Sequence, residues 1–124
     1  MTPSQEPDAQ GAPVRRFKNT DYQPQAATLG ELRHRIDALD EQIVALMAQR
    51  ALCVRDAARF KRDLFQVSAP ARQAQVFARV RGLAAPHEAA FPGLGDVVDS
   101  TYRTMVAAFI AGEGRLVDET ELIT

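Results

Sequence analysis

Ile36, Ile43, Arg50 and Ala57 fall seven residues apart, so an arginine interrupts an otherwise apolar series. Lys61 follows eleven residues after Arg50, which on a helix is three turns with about 20° of drift. Both cations then share one face, their backbones about 16 Å apart. Each long side chain can lean inward, and the gap left suits a small dianion. Two cations beside an apolar seam are costly unless negative charge satisfies them. No acid occupies the same seam nearby, so either the facing helices carry acids or the site binds an anion. A third reading has Arg50 lay its stem along the seam and extend its head to water.

Further polar residues extend this pattern. Arg33 flanks the same register seventeen residues before Arg50, about 25 Å along a helix, so one small ligand cannot touch both on one chain. In an antiparallel pairing of two such helices, Arg33 of one chain comes close to Arg50 of the other. Arg72 stands in the first turn of the next helix, where anions are favoured. Taken alone, Arg33 and Arg72 read as solvated surface charges. Glu113 continues an apolar stripe made by Tyr102, Val106, Phe109 and Ile110. Its simpler reading is an exposed acid at a fraying helix end, although a carboxylate there opposes the helix dipole.

Three helices position these residues. "TLGE" (Thr28–Glu31) is a capping box, and no Gly or Pro follows Gly30 until Pro70. Leu29, Leu32, Ile36, Leu39, Ile43 and Leu46 recur at helical spacing, which predicts a helix from 29 to about 62. At ~1.5 Å per residue it is ~50 Å long, too long for a compact monomer of this size with a radius of gyration near ~13 Å. It must break or be shared with another chain. "LFQVSAP" is expected to be a loop, with Ser68 capping the second helix and Pro70 in its first turn. Val76, Val80 and Leu83 mark that helix's buried side. "GLAAPHEAAFPGLG" is a connection. The third helix is expected from about Asp96 to Glu113, with Gly112 and Gly114 offering a C-cap. The fold class is all-α: a three-helix protomer with one long N-terminal helix, in an intertwined helical homodimer.

The totals bound the function. The 124 residues suit one domain. Residues 1–27 carry four of the seven prolines and are expected to form a disordered or loosely attached tail. The helical domain is placed at 28–116 and a C-terminal tail at 117–124. A net charge of −1 gives no general attraction for nucleic acid or anionic membrane. No apolar run approaches the ~20 residues of a membrane span, and the N-terminus has no signal-peptide pattern, so a cytoplasmic protein is expected. The single cysteine, Cys53, falls in the apolar register and reads as a buried small residue. His34 and His87 read as surface residues.

"LRHRIDALDEQIVALMAQR…FK" resembles the first helix of the all-α chorismate mutase class, through Arg33, Ile36, Asp37, Leu39, Asp40, Ile43, Leu46, Arg50 and Lys61. The resemblance covers roughly residues 28–114. "VSAPARQAQV" is similar to the branch that includes isochorismate-pyruvate lyases. The resemblance implies an interlocked homodimer with two sites, each taking Arg33 from the partner chain and Arg50, Lys61 and Arg72 from its own. It implies that Arg33 and Arg50 hold the two substrate carboxylates, that Lys61 contacts a carboxylate and the ether oxygen, and that Arg72 assists.

Such a reaction is pericyclic and needs no nucleophile, metal or cofactor. It needs a flexible dianion held in its reactive conformer and charge stabilised on the breaking ether oxygen. Two positions depart from the class. Glu113 stands where many members have a Gln that donates to the ether oxygen, and only a protonated Glu can donate. Gln73 stands where many mutases have a Glu that binds the 4-hydroxyl of chorismate. Gln73 favours chorismate, whereas "SAP" favours isochorismate. The expected function is therefore chorismate mutase. The alternatives are an isochorismate-pyruvate lyase, an aminodeoxychorismate mutase, or a non-enzymatic helical dimerisation module whose Arg50 and Lys61 pair with acids across the interface.

Overall fold

The computed structural model describes residues 5–123, and among them there are helices and turns but no strand. The helices are α1 (Leu29–Ala57), α2 (Leu64–Ser68), α3 (Pro70–Ala84) and α4 (Leu94–Val117), with 3₁₀ turns at Ala58–Phe60 and Ala85–His87. Three long helices, the first the longest, match the expected class; α2 is a single extra turn. The chain divides into two compact units, Met1–Ala48 and Gln49–Thr124.

In the first unit the capping box forms as the sequence implied. Thr28 Oγ1 accepts from the Glu31 amide at 3.2 Å. The Glu31 carboxylate reaches back one residue further than expected, to the Ala27 amide. The Gly30 amide, another donor left over at the helix start, is taken by the Ala9 carbonyl at 2.9 Å. Beyond this start the helix has few partners: none of the 29 residues of α1 is buried. Ile36, Leu39, Ile43 and Leu46 are 54, 54, 52 and 61 % exposed, although they form the most regular apolar stripe in the sequence.

The second unit holds the core, formed by Ala58, Val67, Val80, Ala84 and Val106. There α3 packs along α4, and α2 and the first 3₁₀ turn also lie against α4. Val80 is buried as expected and Val76 is half-buried, whereas Leu83 is 56 % exposed.

Four local expectations are corrected. First, α1 ends at Ala57, so Lys61 is not on the Arg50 helix. It follows the 3₁₀ turn in an extended conformation, φ −108° and ψ 132°. Second, "LFQVS" is helix rather than loop. Asp63 Oδ1 accepts from the Gln66 amide at 2.9 Å, and Gln66 Oε1 accepts from the Arg62 amide at 2.6 Å, so Asp63 and Gln66 make a second capping box. Third, Ser68 ends α2 and does not cap α3. The corner is Ala69, left-handed at φ 45°, with Pro70 setting the first turn of α3. Fourth, α4 runs through Gly112 and Gly114 to Val117. Each glycine costs about 1 kcal/mol inside a helix, and the packing of α4 against α2, α3 and the first 3₁₀ turn, with Val106 buried, offsets that cost.

The start of α4 is set from outside the helix. Gly93 is left-handed at φ 96°, and the Glu88 carboxylate accepts from the amides of Gly93 and Gly95, both at 2.9 Å. A carboxylate at this end also complements the helix dipole. Arg81 of α3 pairs with Asp96 at 2.8 Å and Asp99 at 3.6 Å, and Arg103 pairs with Asp99 at 2.9 Å.

Candidate active site

A cavity of about 340 Å³ lies within the second unit. The end of α1 contributes Arg50, Cys53, Val54 and Ala57, and the following turn contributes Lys61. The α2–α3 corner adds Val67, Ser68, Ala69, Arg72 and Gln73, and α4 closes it with Val106, Phe109, Ile110 and Glu113. The periodicity of α4 explains its share, because Val106, Phe109, Ile110 and Glu113 fall three and four apart and so lie on one face.

Of the six sequence-derived site residues, five line this cavity: Arg50, Lys61, Arg72, Gln73 and Glu113. Arg33 does not; it is exposed on α1 in the first unit.

Lys61 Nζ donates to Glu113 Oε2 at 2.9 Å, with 21 % of the Lys61 side chain and 5 % of the Glu113 side chain exposed. Glu113 is thus a buried acid one turn inside α4, not an exposed acid at a frayed end. The facing helix does supply an acid for one of the two seam cations. Arg50 follows a different course. It is half-buried, with its guanidinium carbon 5.1 Å from the centroid of the Phe109 ring. This cation–π contact holds the head without neutralising it. Among the described residues no acid lies within ion-pair distance of Arg50 or Arg72. Arg72 is exposed and donates only a long 3.5 Å bond to Gln75.

The lining therefore carries three cations, Arg50, Lys61 and Arg72, against one carboxylate, Glu113, an excess of positive charge matched to a dianion. The apolar walls of Val54, Val67, Val76, Val106 and Ile110 lower the local dielectric and strengthen each charge interaction. Gln73 is held by the chain itself: its Nε2 donates to the Ser68 carbonyl at 2.7 Å and to Ser68 Oγ at 3.3 Å.

Sequence reasoning missed Cys53, Ser68 and Phe109 as site residues. Cys53 is exposed rather than buried, because the α1 face that carries it borders a cavity and not a packed core. The spacing of Phe109 places it in the apolar stripe of α4, and spacing does not distinguish core from cavity wall. The pairing of a stripe aromatic with an arginine in a facing seam was the available signal.

An all-helical chain with a cation-lined cavity beside its long first helix is the class that the site defines. The profile of the family chorismate mutase type II matches residues 32–114, well over half of the chain, and the chain belongs to that family. Searches of curated proteins and of solved structures returned no match. Among the described residues no helix is long and apolar enough to cross a membrane.

Proposed function

We propose that the protein converts chorismate to prephenate, using this cavity as one part of each site in a homodimer. The observation that carries the reading is the convergence of Arg50, Lys61 and Arg72 on a cavity where, among the described residues, the one lining acid, Glu113, is already paired. In the reaction the ether C–O bond breaks as a new C–C bond forms within the same molecule, so atoms and electrons balance without a co-reactant. Arg50 holds one substrate carboxylate, and the partner chain's copy of Arg33 holds the other. Lys61 has three donor hydrogens; it keeps Glu113 with one and turns the rest to a carboxylate and the ether oxygen, where negative charge develops. Arg72 adds a further cation at the α3 N-terminus, where the dipole has the same sign. Glu113 can donate to the ether oxygen only when protonated. Glu113→Gln places a fixed N–H donor there, so kcat on chorismate is expected to rise; a Gln variant with unchanged kcat removes this role.

The dimer reading rests on α1. At 29 residues it is about 44 Å long, and its stripe from Ile36 to Leu46 is more than half exposed at four positions. A second copy of the same helix covers such a stripe and brings Arg33 of the partner towards the cavity.

The lyase reading, isochorismate to salicylate and pyruvate, draws on Ala69. It lines the cavity without a polar group, where the class's mutases often carry an acid. Assay of the purified protein on chorismate and isochorismate, between about pH 5 and 8, separates the readings. Prephenate formed at the higher kcat/KM supports the mutase. Dominant salicylate and pyruvate supports the lyase. No turnover of either returns Arg50 and Lys61 to the dimerisation-module reading.

A further inference from the structure

Among the described residues, three guanidinium groups stand over phenylalanine rings: Arg59 over Phe60 at 5.6 Å, Arg103 over Phe77 at 4.4 Å and Arg50 over Phe109 at 5.1 Å. Two of the three also have a carboxylate. Arg59 pairs with Asp56 at 3.0 Å and Arg103 with Asp99 at 2.9 Å, and both of these arginine side chains are more than half exposed. Arg50 is half-buried, and no acid among the described residues lies within ion-pair distance of it. Of the three, Arg50 alone lines the candidate active site, and its ring lines it too.

Helix α4 thus holds Arg50 and Lys61 by opposite means. Phe109 and Glu113 fall four apart and share one face of the helix. Glu113 pairs with Lys61 at 2.9 Å and supplies a countercharge. Phe109 supplies none: its ring carries no net charge and attracts the guanidinium through the negative face of its quadrupole. That difference decides what each cation can do next. A guanidinium already paired with a carboxylate must give up that pair before it takes another anion. A guanidinium held on a ring keeps its full charge. An arginine side chain also has many rotamers, and ordering it in advance removes that cost from ligand binding.

We infer that Phe109 is a positioning residue: its ring face fixes the Arg50 guanidinium in the cavity and leaves the charge available to a substrate carboxylate. This inference rests on the mutase reading and deepens it, because it names what orients the group that receives the carboxylate. Size and hydrophobicity alone would make Phe109 a cavity wall that leucine could replace. The inference requires the π face as well. Arg50 meets the carboxylate in the ground state and the transition state alike, so loosening it raises KM more than it lowers kcat.

The test separates ring electronics from ring shape. In the full chain Phe109 is replaced by phenylalanine analogues carrying one, two and three ring fluorines, which keep the ring and weaken its quadrupole stepwise. Phe109→Tyr and Phe109→Leu complete the series. For each protein kcat and KM on chorismate are measured, with thermal unfolding alongside. KM is expected to rise with each fluorine, reaching about fivefold at three, with kcat within about twofold of wild type and Tm unchanged. Phe109→Tyr keeps the ring face and is expected to keep the wild-type KM. Phe109→Leu keeps apolar bulk without that face and is expected to raise KM about fivefold or more; the fluorinated series carries the test if leucine destabilises α4. A KM that does not follow the fluorine count overturns the inference and leaves the mutase reading standing. So does a loss confined to Tm or to kcat, or a folded Phe109→Leu enzyme with wild-type KM. A wild-type protein inert on chorismate overturns the mutase reading and the inference together.

Discussion

Helices α1 and α4 both carry an apolar stripe at helical spacing, and their burial differs sharply. On α4, Val106 and Glu113 are buried and Phe109 and Ile110 are half-buried. On α1, no residue is buried and the stripe from Ile36 to Leu46 is mostly open. Helical period reports which face seeks cover, and it is silent about whether the cover comes from the same chain. The stripe of α4 is covered by α2, α3 and a 3₁₀ turn of its own chain. That of α1 has no equivalent, so the proposed second copy is what makes the two stripes alike. Charge follows the same division: Lys61 meets its acid within the chain, while among the described residues Arg50 and Arg33 meet none.

The strongest way to break this comparison is Arg50→Ala. The unpaired cation should be a working group, so kcat/KM on chorismate falls on the order of 10²–10³-fold while circular dichroism and dimer mass stay as in wild type. Dissociation or unfolding without a specific loss of activity would assign Arg50 to structure. Lys61→Met comes next. It strands the buried Glu113 carboxylate, and denaturant unfolding should show a loss of about 3 kcal/mol, much of it recovered in Lys61→Met/Glu113→Leu.

The stripes themselves are compared by Val106→Ala and Ile43→Ala. The first removes buried methyl groups and should cost about 2 kcal/mol. The second should cost less than about 0.5 kcal/mol if Ile43 faces water. If a second chain covers it, the loss should approach the Val106 value and Tm should become dependent on protein concentration. Smaller effects belong to the helix starts. Thr28→Ala before α1 and Glu88→Ala before α4 should each cost about 1 kcal/mol by thermal unfolding. The smallest concerns Asp99. The hydrogen bond from Arg103 holds its carboxyl below the usual range against the opposing effect of burial, with the charges of Arg103 and Arg81 adding to the lowering. The stability it contributes is complete above the unfolded carboxylate range and is lost as pH falls through the lowered folded value. An acid titration of Asp99→Asn should show a shallower loss in that window than wild type.

Much of the site was legible because its residues sit in registers. The fault at Arg50, the cation at Lys61 and the acid ending the α4 stripe were all visible, and the structure brings the three to one cavity. What was not legible is mostly backbone. The sequence offered no reason for α1 to stop at Ala57, since residues 58–62 contain no Gly or Pro. The signal lay downstream: "DLFQ" is a capping box of the same kind as "TLGE", and a new helix start at Asp63 obliges the old helix to end before it. The Ala69 corner was hidden because a left-handed non-glycine residue carries no signature of its own, at a cost of about 1–2 kcal/mol. The persistence of α4 through two glycines was hidden because packing, not propensity, decided it. The cover of the α1 stripe and the placement of Arg33 depend, in the proposed dimer, on a second chain.

The most direct test of the account mixes two inactive variants, Arg33→Ala and Arg50→Ala, refolded together and assayed on chorismate. If each site takes Arg33 from one chain and Arg50 from the other, a mixed dimer has one site with both defects and one with none. Random pairing then restores about a quarter of wild-type activity from two variants that are each nearly inert. Failure of the mixture to exceed its parents, with mixed dimers present by mass, would contradict the shared site and the dimer that the open face of α1 implies.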